Sequence, residues 1–138
     1  MLFDRMSDEM VRAMIETLPA EVTVIDSNDE VVAWNRHDFR IFKRPMTCMG
    51  MNFRECHPGD SLAIVENIVS EMKAGVKDKF RSWIDLEVEP GKPKHKILIE
   101  FYALRNEKGE YLGCMEFTQD VEEIRRLEGQ KRLKDGKL

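Results

Sequence analysis

Apolar positions along this chain fall into blocks whose spacing changes from helical to alternating and back. Between Ser7 and Pro19, Met10, Val11, Met14, Ile15 and Leu18 recur at helical intervals. Ser7 suits the N-cap, Asp8 and Glu9 sit where a helix dipole favours acids, and Pro19 stops the pattern. Residues 21–26 (EVTVID) and 31–35 (VVAWN) are β-rich runs, and the polar gap Ser27-Asn28-Asp29-Glu30 between them predicts an antiparallel hairpin. Residues 36–56 mix aromatics, Met, one Pro and one Gly, which predicts one or two short helical turns with irregular links.

The strongest helical stripe follows Pro58-Gly59. Asp60 or Ser61 caps a run carrying Leu62, Ile64, Val65, Ile68, Val69 and Met72, and Gly75 ends it. A helix over 61–74 with one apolar side is predicted, packed against a sheet. Residues 79–88 then alternate, with Phe80, Ser82, Ile84, Leu86 and Val88 on one face. The turn EPGKPK leads into 95–104 (HKILIEFYAL), and RNEKGE leads into 111–118 (YLGCMEFT). The run 97–104 is apolar on both faces, so it belongs in the middle of the sheet with cover on each side. The long helix supplies one cover, and the N-terminal helix or a second copy of the chain supplies the other. From Asp120 the pattern is a thinly hydrophobic helix, with Asp120 and Glu123 placed as a capping box and Val121, Ile124 and Leu127 forming a narrow seam. Gly129 weakens that helix by about 1 kcal/mol relative to Ala.

Two strands, a helical stretch and then three strands predict an α+β fold, a five-stranded antiparallel sheet with helices across one face. The expected division is an N-terminal flanking helix (1–18), the domain proper (19–119) and a C-terminal helix (120–138). A space enclosed between sheet and helices would hold a small molecule. Trp34, Phe39, Phe42, Cys56, His57, Val65, Ile68, Ile84, Ile99 and Met115 are the residues expected to line it, the alternative being a filled core.

Composition narrows the function. A chain of 138 residues fits one domain with a real core, and 42% hydrophobic with 35% charged residues argues against disorder. No apolar run approaches the roughly 20 residues of a membrane span, and MLFDRMSDEM is too charged for a secretory signal, so a cytoplasmic protein is expected. Net charge is −4 with acids and bases interleaved, which disfavours nucleic acid as a partner. Three cysteines, an odd count without a CxxC pair, favour reduced thiols and leave structural zinc without support.

Candidate chemistry is sparse. Cys56-His57-Pro58 precedes the long helix, and either an imidazole or a thiolate there could ligate haem iron; the alternative is a simple turn at the helix start. His37 and His95 read as surface residues. Met46, Met49 and Met51 cluster with Cys48 around Gly50 and read as packing. Phosphate loops, nucleophile elbows and His–Glu metal helices do not occur, so no catalysis is expected.

The stretch LPAEVTVIDSNDEVVAWN resembles the opening hairpin of PAS domains, with Asp26, Asn28 and Asn35 at its polar turn and closing Asn. YLGCMEFTQDVEEIRRLEG resembles the last PAS strand and the turn into the outgoing helix, with Asp120 as the capping aspartate. FRECHPGDSLAIVENIVSEMKAG and FYALRNEKGEYLGCMEFTQDVEEIRRLEG are similar to the PAS domain that follows a hemerythrin-like (HHE) domain in bacterial and archaeal proteins. This resemblance implies a sensory domain that binds a small ligand or a partner, forms a homodimer and passes the change through Thr118 and Asp120 to the terminal helix. It also implies a hemerythrin-like domain, attached or separate, as a partner, since three His cannot themselves supply a di-iron site. Two alternatives stay open: a haem-based gas or redox sensor with His57 or Cys56 on the iron, as some PAS domains place a His near this helix, and a ligand-free dimerisation module.

Overall fold

Short-range polar chemistry shapes the first hairpin. Strand β1 (Glu21–Asp26) and β2 (Val31–Trp34) are joined by a turn in which the Asp26 carboxylate accepts the N–H groups of Asn28 and Glu30 at 2.9 and 3.1 Å. Asp29 turns the corner at φ 65°, a left-handed conformation that Asp tolerates better than most residues. The second group is a meander of β3 (Lys79–Leu86), β4 (His95–Arg105) and β5 (Tyr111–Asp120). In the computed structural model, which describes residues 3–136, these segments form one five-stranded sheet in the order β2-β1-β5-β4-β3. Every pairing is antiparallel. The chain therefore closes the sheet by laying its last strand beside its first, and the fold is the α+β arrangement expected from the pattern. Where β5 crosses β1, Gly113 packs so tightly that a Cβ there would collide with the Ile25 carbonyl oxygen.

Register fixes which side chains share a face. Glu21, Thr23 and Ile25 pair with Thr118, Glu116 and Cys114, while Ile99 and Phe101 pair with Ser82 and Phe80. These residues make the inner face. Helix α3 (Gly59–Lys73) lies over it, burying Val65, Ile68, Val69 and Met72 against Phe101, Ile25 and Cys114. Short helix α2 (Phe53–Cys56), capped by Asn52 Oδ1 accepting the Arg54 N–H, leads into α3 and contributes Phe53 to the same core. The mixed region before α2 holds two 3-10 turns, His37–Phe39 and Met46–Cys48.

Three expectations need correction. Helix α1 (Asp8–Thr17) forms with Ser7 Oγ accepting the Met10 N–H, but it buries none of its residues and so supplies no apolar cover for the sheet. The outward face of β4 is instead part polar: buried Glu100 stands there, paired with Arg81 at 2.8 Å and Lys79 at 3.3 Å. The helix expected over 120–138 is not formed among the described residues. Strand β5 runs on to Asp120, whose Oδ1 accepts the Glu122 N–H, and 3-10 turns follow at Ile124–Arg126 and Leu133–Asp135. The cause is physical: Gly129 adopts φ 61°, Leu127 is 77% exposed, and a short helix with no surface to pack on is marginal in water. Finally, the thiols are not all free. Cys48 and Cys56 form a disulfide across a Cα separation of 6.0 Å, brought together by the reversal at Gly50 (φ 83°); Cys114 alone is unbridged.

Candidate functional site

A cavity of about 430 Å³, open to solvent at one side past the exposed Ile64 and Ile84, lies between one flank of α3 and the inner face of β3, β4 and β5. A smaller space of about 50 Å³, the narrow arm, adjoins it toward β1 and α2 and shares Arg44, His57, Val65, Phe101 and Glu116 with it. The main volume lies within the roughly 300–1,000 Å³ range of small-molecule sites. Its walls are mostly apolar: Ile64, Val65 and Ile68 from α3 face Phe80, Ile84, Ile99 and Phe101 from the sheet.

Seven of the ten residues expected around such a space line it. Phe42, His57, Val65, Ile68, Ile84 and Ile99 line the main volume, and Cys56 lines the arm. Three do not. Trp34 packs against the edge of the core, where its Nε1 donates to His37 Nδ1 at 2.9 Å. Phe39 is 75% exposed, because the left-handed turn at Arg36 opens a 3-10 turn that carries it into solvent. Met115 lies on the opposite face of β5, since the alternation that turns Cys114 and Glu116 inward turns the residue between them outward.

The chemistry of the cavity comes mainly from residues that apolar periodicity does not mark. Arg44 and Glu116 line both the main volume and the arm. Arg44 Nη2 stands 3.2 Å from Glu116 Oε2, with both side chains 17% exposed, and Arg44 Nε donates to Thr23 Oγ1 at 3.4 Å. Behind them a polar knot holds the loop in place. Arg40, only 6% exposed, donates to the carbonyls of Asn35 (2.7 Å) and Phe42 (2.9 Å) and to Thr23 Oγ1 (2.9 Å). Buried Glu21 accepts the N–H groups of Ile41 and Phe42 and lies 3.8 Å from Arg40. Burial lowers the Arg40 pKa, and Glu21 opposes that effect. The result is a loop of irregular conformation whose Phe42 and Arg44 are held at the cavity wall by groups with fixed partners.

His57 lines both parts of the cavity. Its Nδ1 lies 3.1 Å from the Pro58 carbonyl oxygen and 3.2 Å from the Ser61 hydroxyl, donating to the first or accepting from the second according to tautomer. Cys56, bonded to Cys48, has no thiolate to offer an iron, which corrects the expectation that it could serve as an axial ligand. Burial pushes the Cys114 thiol up to about 12, so it behaves as a small apolar wall residue. Among the described residues, no group of three or more His, Cys, Asp or Glu is placed to hold a metal ion. Nor, among them, is any helix long and apolar enough to cross a membrane.

Thr118 and Asp120 stand where β5 leaves the cavity. Thr118 is buried and sits in register between Ile99 of the cavity wall and Glu21 of the polar knot. The Asp120 carboxylate lies 2.6 Å from His95 Nδ1, and that hydrogen bond raises the His95 pKa. Glu122, buried next to it, accepts the Lys96 N–H and pairs with Arg125 (2.9 Å) and Arg126 (2.7 Å). The hydrogen bond from Arg125 is the main cause that holds the Glu122 carboxyl down to about 2.

Comparison with known proteins places this geometry. A solved C-terminal domain from Streptococcus mutans is 24% identical, with 89% of this chain and 91% of that one covered at a TM-score of 0.78. The PAS domain of BvgS from Bordetella pertussis is 15% identical, covering 82% of this chain and 85% of that one at a TM-score of 0.60. A sensory box sensor histidine kinase from Vibrio cholerae is 15% identical, covering 82% and 90% at a TM-score of 0.55. No curated protein matches the chain. The family model described as PAS domain matches residues 11–122, and the chain thus belongs to the PAS domain family, whose members are sensory and signalling modules, as in sensor histidine kinases.

Proposed function

We propose that this domain senses a small molecule held between α3 and the sheet, and that it works by changing the segment that follows β5 rather than by catalysis. The observation that carries this reading is the 430 Å³ space itself: apolar walls, a small set of convergent polar groups and a charged pair held in position from behind.

Register supports the transmission step. Ser82 on β3, Ile99 on β4, Thr118 on β5 and Glu21 on β1 form one row across the inner face. An occupant that pushes on Ser82 and Ile99 pushes on Thr118, two residues before Asp120. Coupling of this kind needs only about 1–3 kcal/mol of differential binding. Exposed Met10 and Met14 on α1, with Ile124 and Leu127 beyond β5, support a homodimer as the working form. Sedimentation velocity at micromolar concentration checks that part; a monomer throughout removes it. The resemblance in sequence makes a hemerythrin-like domain, attached or separate, the first partner to test.

Native mass spectrometry of the chain purified without denaturation tests the site. The expected result is an added small-molecule mass that disappears in Ile68→Trp, whose ring fills the cavity. Bare chain in both proteins, together with no binding of any added small molecule, overturns the reading. A haem sensor remains a second reading because His57 lines the cavity. It requires a Soret band after haem addition that His57→Ala abolishes.

A further inference from the structure

The charged side chains on the cavity wall are a matched pair, and that pairing selects the charge of what can bind. Taken together, Arg44 and Glu116 carry no net charge, and Arg40 behind them is balanced by Glu21. A guanidinium has five N–H donors and a carboxylate two acceptor oxygens. Among the described residues, Arg44 engages Nε with Thr23 and Nη2 with Glu116, while Glu116 engages Oε2. Arg44 thus keeps further donors and Glu116 a second oxygen on a wall to which Phe101 and Val65 also belong.

An anionic ligand would find Arg44 already neutralised and Glu116 repelling it. A cationic ligand would meet the mirror problem. Either would bring an unbalanced charge into an apolar space, and a buried unpaired charge is costly. A neutral head group that offers an acceptor to Arg44 and a donor to Glu116 satisfies both without breaking the ion pair. Carboxamides, lactams, ureas and amide-like heteroaromatics have this donor–acceptor pair on one planar edge. The space facing it, lined by Ile68, Phe80, Ile84 and Ile99, accepts a small apolar body.

We infer that the cavity takes a small neutral molecule with a planar, amide-type donor–acceptor edge seated on Arg44 and Glu116 and an apolar ring or chain directed at α3 and β3. This inference rests on the sensor reading above and names the ligand class for the same site.

Four probes of one shape separate the possibilities: benzamide, benzoate, benzamidine and toluene, each titrated into the whole chain and followed by backbone amide NMR shifts of α3 and β5. The expected result is that benzamide saturates at a concentration at least about tenfold below benzoate and benzamidine, because each charged probe leaves one member of the pair opposed. Glu116→Gln keeps the shape and removes the negative charge, so it should bring benzoate up to or past benzamide. If benzoate or benzamidine equals benzamide in the native chain, or if Glu116→Gln leaves the order unchanged, the ligand class is wrong while the cavity reading stands. If none of the four, toluene included, shifts any amide along α3 or β5, the cavity reading fails and the ligand class with it.

Discussion

Asp29, at the tip of the first hairpin, lies 2.7 Å from Lys73 in the last turn of α3. Its second oxygen pairs with Arg54 of α2 at 3.0 Å, and its carbonyl accepts the Phe53 N–H at 2.9 Å. One residue thus ties the hairpin to both helices that roof the cavity. Asp29→Asn keeps a side chain that tolerates positive φ and removes the charge. Because Lys73 and Arg54 are each more than a third exposed, screening limits the loss to about 1 kcal/mol. Urea unfolding should show that decrease with an unchanged m-value, and amide exchange in the C-terminal turns of α3 should quicken.

Asn35 makes a firmer connection. Its Oδ1 accepts the Val22 N–H at 2.6 Å, and its Nδ2 donates to the carbonyls of Ile15 at 2.8 Å and Ala20 at 3.0 Å. The side chain is buried, so Asn35→Ala strands one donor and two acceptors. A loss of about 2–4 kcal/mol is expected, read by equilibrium unfolding. Asn35→Asp should be as damaging, because a carboxylate cannot donate to Ile15 and Ala20.

The exit of β5 predicts opposite responses at the two ends of the pH scale. The Asp120 hydrogen bond raises the folded-state pKa of His95. Its contribution is therefore fully present below the ordinary histidine value of about 6.5 and is lost as pH rises through the raised one. Glu122 is shifted the other way, to about 2. Its contribution is present above the ordinary 4.5 and is lost as pH falls toward 2. Melting temperature against pH should lose the upper-limb decline in His95→Gln and flatten the acid limb in Glu122→Gln. Unchanged curves in both variants would remove these pairs from the account.

The Cys48–Cys56 bridge closes a short loop beside the narrow arm of the cavity. Closure of so short a loop contributes about 2–3 kcal/mol by restricting the unfolded chain. Reduction with dithiothreitol should lower the melting temperature of the native chain and leave a Cys48→Ser/Cys56→Ser variant unaffected. Equal melting of reduced and oxidised native chain would show that the bridge carries no stability.

Periodicity made the frame legible because α3 and β3 carry largely apolar stripes at the spacing of their element, and the runs on β1, β4 and β5 are apolar enough between polar turns to mark strands. It placed Val65, Ile68, Ile84 and Ile99 around the cavity for the same reason. It failed where burial is polar. Glu21, Arg40, Arg44 and Glu116 look like surface charges one at a time and acquire meaning only when β1, β5 and the loop after β2 meet. On β5, Met115 and Phe117 mimic an inward stripe, while the true inner residues are Cys114, Glu116 and Thr118. The disulfide was hidden because eight residues of separation say nothing of the reversal at Gly50 that joins the two sulfurs. Beyond Asp120, the seam had the right spacing but too few apolar residues to hold a helix without a neighbour.

The most direct test of coupling between cavity and exit is hydrogen exchange at the Val121 and Arg125 amides, which donate to the Lys96 and Val121 carbonyls at 2.9 and 2.8 Å. Ser82→Phe places a ring into the cavity from β3, two strands away from β5. The account predicts altered protection at Val121 and Arg125 in this variant, with the amides of Asp29 and Val31 in the first hairpin unchanged. Identical exchange at Val121 and Arg125 in the two proteins would contradict it.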